Sequence, residues 1–154
     1  MARADEIFEE VATDDPRAIE LYRAHTRAGA VALELPDPEP TTVPRTLAPP
    51  DGALLLVTLD GEPVAIGGVR DLGGPAAEIK SMYVAPAARG QGIGRRLLAR
   101  LEEIAASRGC TTTRLDTLAK LAPACALYES AGYERVADYN YSPHADRWYE
   151  RRLG

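Results

Sequence analysis

The residues best suited to chemistry form a glycine-rich stretch near the middle of the chain, Arg89-Gly90-Gln91-Gly92-Ile93-Gly94. Strand-like residues 78–84 precede it, and an amphipathic helix predicted to run to about Arg108 follows it. At a helix N-terminus the first amide groups lack intrahelical acceptors, and the helix dipole is positive. Glycines carry no Cβ, so an anion can approach their backbone closely. The stretch is therefore predicted to bind phosphate groups, in preference to being a tight turn that binds nothing.

Two common phosphate-binding motifs do not fit these glycines. A P-loop requires Gly-Lys-Ser/Thr after its first glycine, and no lysine occurs between Lys80 and Lys120. The dinucleotide fingerprint has its third glycine three residues after the second, whereas Gly92 and Gly94 are two residues apart. A nucleotide-binding switch and a dinucleotide site are thus both disfavoured.

The spacing Arg-x-x-Gly-x-Gly instead resembles the acyl-CoA loop of the GNAT family of N-acetyltransferases. A second segment, residues 124–133, resembles that family's Ala-x-x-x-Tyr-x-x-x-Gly-Phe/Tyr pattern. Shorter matches at residues 78–84, 115–118 and 139–143 are similar to a bacterial branch of small acetyltransferases with diverse substrates. The resemblance implies an α/β fold with a GNAT-like mixed, mostly antiparallel twisted sheet flanked by helices. The cofactor loop then lies between strand 4 and the following helix.

The resemblance also implies a reaction, in which acetyl-CoA donates an acetyl group to a primary amine of a small molecule or peptide within a ternary complex. A strand bulge is expected to free backbone groups for the pantetheine arm. Leu121 departs from the family, because many members carry an asparagine there that is able to contact the arm or a water. The implied cofactor-binding residues are Met82, Tyr83, Val84, Arg89, Gly90, Gln91, Gly92, Ile93, Gly94 and Arg95.

Glu78 and Tyr128 are the candidate catalytic residues. An amine with a pKa near 10 is mostly protonated at neutral pH, so a carboxylate base is useful, and Glu78 is the candidate. The leaving thiolate needs a proton, and Tyr128 is the candidate acid. Glu78 precedes Met82 by four strand residues, which predicts that the two side chains share one face. The alternatives are a solvated strand carboxylate paired with an arginine or Lys80, and for Tyr128 an ordinary core tyrosine.

Three further residues are candidates for the acceptor side. Asp116 follows a predicted strand and either contacts the substrate or caps a turn. Tyr139 and Asn140 are expected to border the acceptor pocket, although a C-terminal hairpin alone also explains them.

A non-catalytic acyl-CoA sensor or protein-interaction domain of the same fold is the alternative function. Glu78 and Tyr128 favour the enzyme, and no metal-ligand pattern is visible.

The remaining elements follow from capping residues, periodicity and prolines. Asp15-Pro16 predicts the start of a helix that ends at Gly29. Six prolines in residues 30–51 predict a loop with at most short helical turns. Strands are predicted at residues 53–59, 63–69, 76–84, 111–117, 133–139 and 147–153, with a last helix at 123–130.

Length and composition limit the classes of protein to consider. A chain of 154 residues with 45% hydrophobic residues predicts one domain, residues 1–154. Because no long apolar run or signal-peptide core is present, we expect a cytoplasmic protein without a membrane partner. The net charge of −5 disfavours nucleic acid as a partner. Cys110 and Cys125 are predicted to be free thiols, and whether the protein forms a homodimer stays open.

Overall fold

Seven strands and three helices make up residues 5–154, the part of the chain that the structure, a computed structural model, describes. None of the helices in this part is long and apolar enough to cross a membrane. The strands are β1 (Glu6–Glu10), β2 (Gly52–Leu59), β3 (Glu62–Asp71), β4 (Ala76–Val84), β5 (Thr112–Thr117), β6 (Glu134–Val136) and β7 (Arg147–Arg152). The helices are α1 (Pro16–Leu33), α2 (Ile93–Ser107) and α3 (Ala122–Ser130).

The strands form one sheet in the order β1-β2-β3-β4-β5-β7-β6. Neighbouring strands are antiparallel except β4 and β5, which are parallel. Parallel neighbours require a crossover connection, and α2 provides it. The predicted fold class is therefore confirmed, including a glycine-rich loop between the fourth strand and the following helix.

Helix α1 begins where the sequence predicts but ends later. The Asp15 side chain accepts a hydrogen bond from the Arg17 amide, and proline occupies the first helical turn. The predicted stop at Gly29 is wrong, because the helix continues to Leu33 and is capped by Glu34 with a φ of 56°. An internal glycine costs a helix only about 1 kcal/mol. The buried Ala30 that follows it adds packing that favours continuation.

Three other predicted boundaries change in the structure. No strand is predicted before α1, yet β1 pairs with β2 as an edge strand. Its sequence Glu-Ile-Phe-Glu-Glu is rich in glutamate, which strands generally disfavour. The strand predicted at residues 133–139 ends at Val136, because Asp138 accepts the amides of Asn140 and Tyr141 in a turn. The predicted proline-rich loop begins with the last turn of α1 and otherwise contains one 3₁₀ turn, Arg45–Leu47.

The sheet separates two hydrophobic clusters. Leu97 and Leu101 of α2 and Tyr128 of α3 belong to one cluster, and we call that face the α2 side. Ala18 of α1 belongs to the other cluster, together with Ile66 of β3, and we call that face the α1 side. Every functional residue on the sheet can therefore be assigned to one of two faces.

A bulge in β4 changes which face its later residues occupy. Ile66 pairs with Tyr83 and Gly68 with Lys80, so two residues of β4 oppose one of β3. One of the two, Ser81, has a φ of 58°. The bulge that the resemblance implied is thus confirmed.

The bulge also overturns one prediction. Met82 packs in the cluster on the α2 side, whereas Glu78 is paired with Arg70 on the α1 side. The prediction that Glu78 and Met82 share a face is wrong, because it assumed a strand with unbroken alternation. The two residues instead lie on opposite faces of the same strand.

Strands β4 and β5 separate soon after they meet. Their pairing within the described chain is limited to Ala76, Ala77 and Glu78 of β4. Beyond Glu78, β4 continues to Val84 and β5 to Thr117 without a shared ladder. We call this gap the β4–β5 opening; it leaves strand backbone accessible to an extended ligand.

Candidate active site

The glycine-rich stretch connects β4 to α2 through a short 3₁₀ turn, Pro86–Ala88. Gly90 and Gly92 have φ values of 81° and 79°, in the left-handed region that favours glycine, and Gly92 is the N-cap of α2. Within residues 5–154, the amides of residues 90–95 meet no backbone or side-chain acceptor. This row of free donors at the positive end of a helix is suited to a pyrophosphate.

The third glycine of the stretch has a different reason to be glycine. A Cβ at Gly94 would lie 3.3 Å from Leu127 Cδ2 and 3.6 Å from Val84 Cγ2. Its missing side chain therefore allows α2 to pack closely against β4 and α3. A Cβ at Gly90 would meet nothing within 4 Å, whereas Gly94 is closely packed. That a phosphate approaches the backbone of all three glycines stays a prediction.

The arginine side chains around the loop are exposed to solvent but hydrogen-bonded to other protein groups. Arg89 Nε donates to the Val84 carbonyl at 2.9 Å, and its guanidinium lies 5.6 Å from the Tyr83 ring centre. Arg95 donates to the hydroxyl and carbonyl oxygens of Ser130 at 3.2 and 3.1 Å. Arg96 contacts both carboxylate oxygens of Glu6 at 2.7 Å. A ligand phosphate would therefore meet guanidinium groups whose positions are already held by the protein.

The last residues of β4 line both sides of the β4–β5 opening. Met82 packs on the α2 side, close to Gly67 of β3. A Cβ added to Gly67 would lie only 2.7 Å from the Sδ atom of Met82. Tyr83 lies on the α1 side, where its ring centre is 6.2 Å from that of His25. Burial, followed by the charge of Lys80, lowers the pKa of His25 to about 4. The imidazole beside Tyr83 is therefore neutral at physiological pH.

Tyr128 lies on the α2 side, beside the opening. It is 6% exposed, and its ring centre lies 6.0 Å from that of Tyr133 and 6.1 Å from that of Tyr149. Its hydroxyl makes no hydrogen bond within residues 5–154. Burial, with the nearby Cys125 and the negative charge of Asp116, raises the pKa of Tyr128 above its ordinary value. The phenol thus keeps its proton at neutral pH and has a donor to offer a ligand.

Glu78 is the centre of a hydrogen-bond network on the α1 side. The residue is fully buried, and its Oε1 accepts from Arg70 Nε at 2.9 Å. Its Oε2 accepts from the Tyr139 hydroxyl at 2.7 Å and from Asn140 Nδ2 at 3.2 Å. Burial acts to raise the pKa of Glu78, but the Tyr139 hydrogen bond and the charges of Lys80 and Arg70 outweigh it and lower that pKa. Glu78 is therefore a carboxylate with both oxygens occupied.

Asn140 joins Glu78 to Asp116. Its Nδ2 also donates to Asp116 Oδ2, and its Oδ1 accepts from Trp148 Nε1 at 2.9 Å. Lys80 Nζ lies 3.6 Å from Asp116 Oδ2 and 3.9 Å from Glu78 Oε1. The three acceptor-side candidates, Asp116, Tyr139 and Asn140, are thus brought together with Glu78 on one face.

Comparison with known proteins decides the family. A sequence model of the acetyltransferase (GNAT) family matches residues 27–133, more than half of the chain. The chain belongs to the GNAT family. The family that the sequence resembles, and with it the acetyltransferase class, is therefore confirmed at the level of family membership.

Individual relatives agree with this assignment. The chain is 40% identical to the IAA acetyltransferase of Azospirillum brasilense over 90 residues, 58% of this chain and 59% of that protein. It therefore spans less than two thirds of that relative's length. The candidate acyl-CoA N-acyltransferase of Klebsiella pneumoniae subsp. pneumoniae is 29% identical, with a TM-score of 0.76 over 97% of this chain and 98% of that one.

A more distant structure shares the fold alone. The PaiA N-acetyltransferase of Thermoplasma acidophilum, crystallised with coenzyme A, has a TM-score of 0.77 at 16% identity. The alignment covers 97% of this chain and 99% of that one. The GNAT fold of this chain is thus supported by both a closer and a remote structural relative.

Several residues of this GNAT site are absent from the sequence predictions. Arg70 is the cross-strand partner of Glu78, and Trp148 that of Asp116, and each contributes a hydrogen bond to the network. A strand register would have identified both, but register depends on the bulge and on the β5–β7 pairing. His25 belongs to α1, which strands β2 and β3 separate from Tyr83 in the sequence, and it meets Tyr83 only after α1 docks on the sheet. No local pattern indicates that contact.

Proposed function

We propose that this GNAT protein transfers an acetyl group from acetyl-CoA directly to a primary amine of a small molecule or peptide. The observation that carries the proposal is the continuity of two features along β4. The β4–β5 opening runs along β4 beyond Glu78, and the amides of residues 90–95, which meet no acceptor within residues 5–154, follow the C-terminal end of the same strand. A ligand with a pyrophosphate at one end and an extended, amide-bearing arm fits both features at once.

The donor would use backbone groups for most of its binding. Its pyrophosphate would accept from the amides of Gly90, Gly92 and their neighbours, with Arg89 adding positive charge. Its pantetheine arm would lie along Met82, Tyr83 and Val84, in the place of the missing strand partner. This arrangement brings the thioester towards the opening, where the sheet faces meet.

Tyr128 would act as the general acid. The bond between the carbonyl carbon and sulfur breaks as the amine adds, and the leaving thiolate requires a proton. The Tyr128 hydroxyl is free of protein acceptors within residues 5–154, and its raised pKa keeps the proton in place until the thiolate forms. If Tyr128 were only a core residue, its hydroxyl would be expected to have a hydrogen-bond partner.

Glu78 would organise the acceptor side and was the sequence candidate for the base. Glu78 is fully buried and accepts three side-chain hydrogen bonds, so its oxygens are not exposed to a substrate. As a base it would receive a proton by relay, for example through the Tyr139 hydroxyl that donates to its Oε2. In either role, the carboxylate holds Tyr139 and Asn140 in fixed positions beside the opening.

Initial rates measured with acetyl-CoA and an amine varied together test the proposal. Direct transfer in a ternary complex predicts intersecting double-reciprocal lines, because both substrates must be bound before chemistry. Parallel lines would contradict it and would indicate an acetylated enzyme, with the buried Cys125 as the thiol to examine. Calorimetry with coenzyme A checks donor binding independently of the choice of amine.

A further inference from the structure

Asp116 differs from Glu78 in having one carboxylate oxygen that accepts no hydrogen bond within residues 5–154. It lies near the end of β5, two residues beyond Arg114, the last β5 residue that pairs with β4. Its side chain is 13% exposed. Oδ2 is held by Asn140 and faces Lys80 at 3.6 Å, whereas Oδ1 receives no hydrogen bond within residues 5–154. One oxygen is thus oriented by the protein and the other is available.

Glu78 provides the contrast. It is completely buried and accepts from three side chains, so its function is consistent with holding the network together. A general base must come within hydrogen-bond distance of the proton that it removes. Asp116 is partly exposed and its Oδ1 accepts no hydrogen bond within residues 5–154, so a ligand could contact it, whereas Glu78 is fully buried.

Asp116 is also positioned to act on the same bound substrates as Tyr128. Its charge contributes to the raised pKa of Tyr128, so the carboxylate and the phenol lie within electrostatic reach although they belong to opposite faces. The opening is the place where groups from both faces can reach one reacting carbon. An amine that contacts Asp116 Oδ1 would therefore approach from the α1 side, with the thioester and Tyr128 on the other.

We propose that Asp116 is the catalytic residue that contacts the acceptor amine and removes its proton, and that Glu78 positions it through Asn140. This inference rests on the proposed acetyltransferase function and assigns the acceptor subsite within it. The assignment implies an acceptor that is a cationic ammonium group in solution. An alcohol or a thiol acceptor would have no positive charge for this carboxylate to bind.

The step balances as follows. Asp116 takes one proton from the ammonium group and passes it to solvent, and the freed nitrogen lone pair forms a bond to the thioester carbon. The carbon–sulfur bond then breaks, and the thiolate takes the proton of Tyr128. The nitrogen loses its second proton, which restores the Tyr128 phenol directly or through water. The net reaction converts ammonium and acetyl-CoA to amide, coenzyme A and one released proton.

Charged and titratable groups from several elements face Asp116. Lys80 and Glu78 come from β4, Tyr139 from the segment before β7, and Tyr128 from α3. Tyr128 and Tyr139 have raised pKa values, so neither phenol titrates near neutral pH.

The test compares Asp116→Asn with Glu150→Gln, a matched control. Glu150 is a partly exposed carboxylate on the neighbouring strand β7, where it pairs with Arg114 at 2.9 Å. We expect Asp116→Asn to lower kcat/KM for the amine by roughly 10²–10⁴-fold at neutral pH. The deficit should shrink as pH rises towards the amine's pKa, while coenzyme A affinity stays unchanged. Glu150→Gln should leave the rate unchanged.

The outcomes separate this inference from the proposed function. Wild-type protein that transfers acetyl to no amine overturns both. Active wild type with an Asp116→Asn deficit that is absent or independent of pH overturns the role of Asp116 alone. If Asp116→Asn melts at a lower temperature, Asp116→Glu is the second variant. It should keep the wild-type shape of the pH profile, and an equal, pH-independent loss in both variants would overturn the proposal.

Discussion

The two sides of the candidate active site are built in opposite ways. The donor side is made of backbone, with amides of residues 90–95 that meet no acceptor in the described part of the chain, residues 5–154, and glycines with positive φ values. The acceptor side is made of side chains, with Glu78, Asn140 and Asp116 in one connected network. The first region is largely exposed, and the second is largely buried, with most of its polar atoms hydrogen-bonded.

This difference explains what each side can recognise. Backbone donors at a helix end bind any pyrophosphate, so the donor side fits a ligand shared across a whole family. Side-chain networks depend on the particular residues, so we expect the acceptor side to determine which amine is bound. Acceptor identity therefore has to be found on the α1 side of the opening.

The largest effect is expected from Gly92→Val. A branched side chain at a φ of 79° strains the backbone, and its Cβ would lie 2.7 Å from the flexible end of Arg96. We expect coenzyme A binding to fall below detection in calorimetry. Gly73→Val is the control, because Gly73 has a φ of 76° in a turn without close neighbours. Equal coenzyme A affinity in the two variants would refute the donor site.

Tyr128→Phe is expected to have the next largest effect. The ring and its packing remain, but the proton donor is lost, so kcat should fall roughly 10²–10⁴-fold with coenzyme A affinity little changed. Because the pKa of Tyr128 is raised above 10, the deficit should persist in alkaline solution. Stopped-time assays across pH provide the measurement.

Tyr133→Phe is the matched control for Tyr128→Phe. Tyr133 belongs to the same aromatic cluster, but its hydroxyl bonds Thr113 and Glu102 at 2.7 and 2.8 Å. This variant should lose stability, by about 1 kcal/mol, and keep its kcat. Wild-type turnover in Tyr128→Phe would return Tyr128 to the role of a core residue.

Glu78→Gln should be detected first as a change in stability. Loss of the carboxylate leaves donors of Arg70, Tyr139 or Asn140 poorly paired, at about 1–3 kcal/mol near neutral pH. The pKa of Glu78 is lowered from 4.5, so its stabilisation is present above pH 4.5 and is lost as pH falls through the folded-state pKa. Denaturant titrations should therefore show wild type and variant converging in acid. A stability difference between wild type and Glu78→Gln that stays constant at all pH values would contradict an ionised Glu78.

The smallest effect is expected from Leu121→Asn. Leu121 is the N-cap of α3 and provides no side-chain hydrogen bond, and Pro123 in the first turn has no amide to offer. An asparagine could accept from the amide of Ala124, which meets no acceptor within residues 5–154, and this should stabilise the protein by about 0.5–1 kcal/mol. Leu121→Ala, which cannot cap, is the control in thermal melts. If coenzyme A affinity also rises, the family asparagine has a second role in donor binding.

The donor side could be predicted from the sequence because it depends on neighbouring residues. Glycine spacing, a preceding strand and a following helix indicate the loop, and the resemblance indicates its ligand. Gly94 shows the limit of such patterns, since its role in packing against Leu127 appears only once α3 is in place.

The acceptor side could be predicted only as separate candidates. Glu78, Asp116 and Asn140 are far apart in sequence, and their hydrogen bonds depend on the sheet order β4-β5-β7. The bulge at Ser81 reverses the face of Met82 and cannot be located by strand periodicity. Edge strand β1 was missed because its glutamates disfavour a strand and only its pairing with β2 explains it.

One measurement tests the central claim most directly: release of free thiol from acetyl-CoA, followed with and without amino acids, polyamines, aminoglycosides and peptides. If the protein is an acetyltransferase, thiol release should depend on at least one amine and should be matched by an equal amount of acetylated product. Bound coenzyme A should also stabilise the protein, by about 2.7 kcal/mol at a hundredfold excess over Kd. Stabilisation without amine-dependent thiol release for any member of the panel would contradict the account and would indicate a sensor of acyl-CoA.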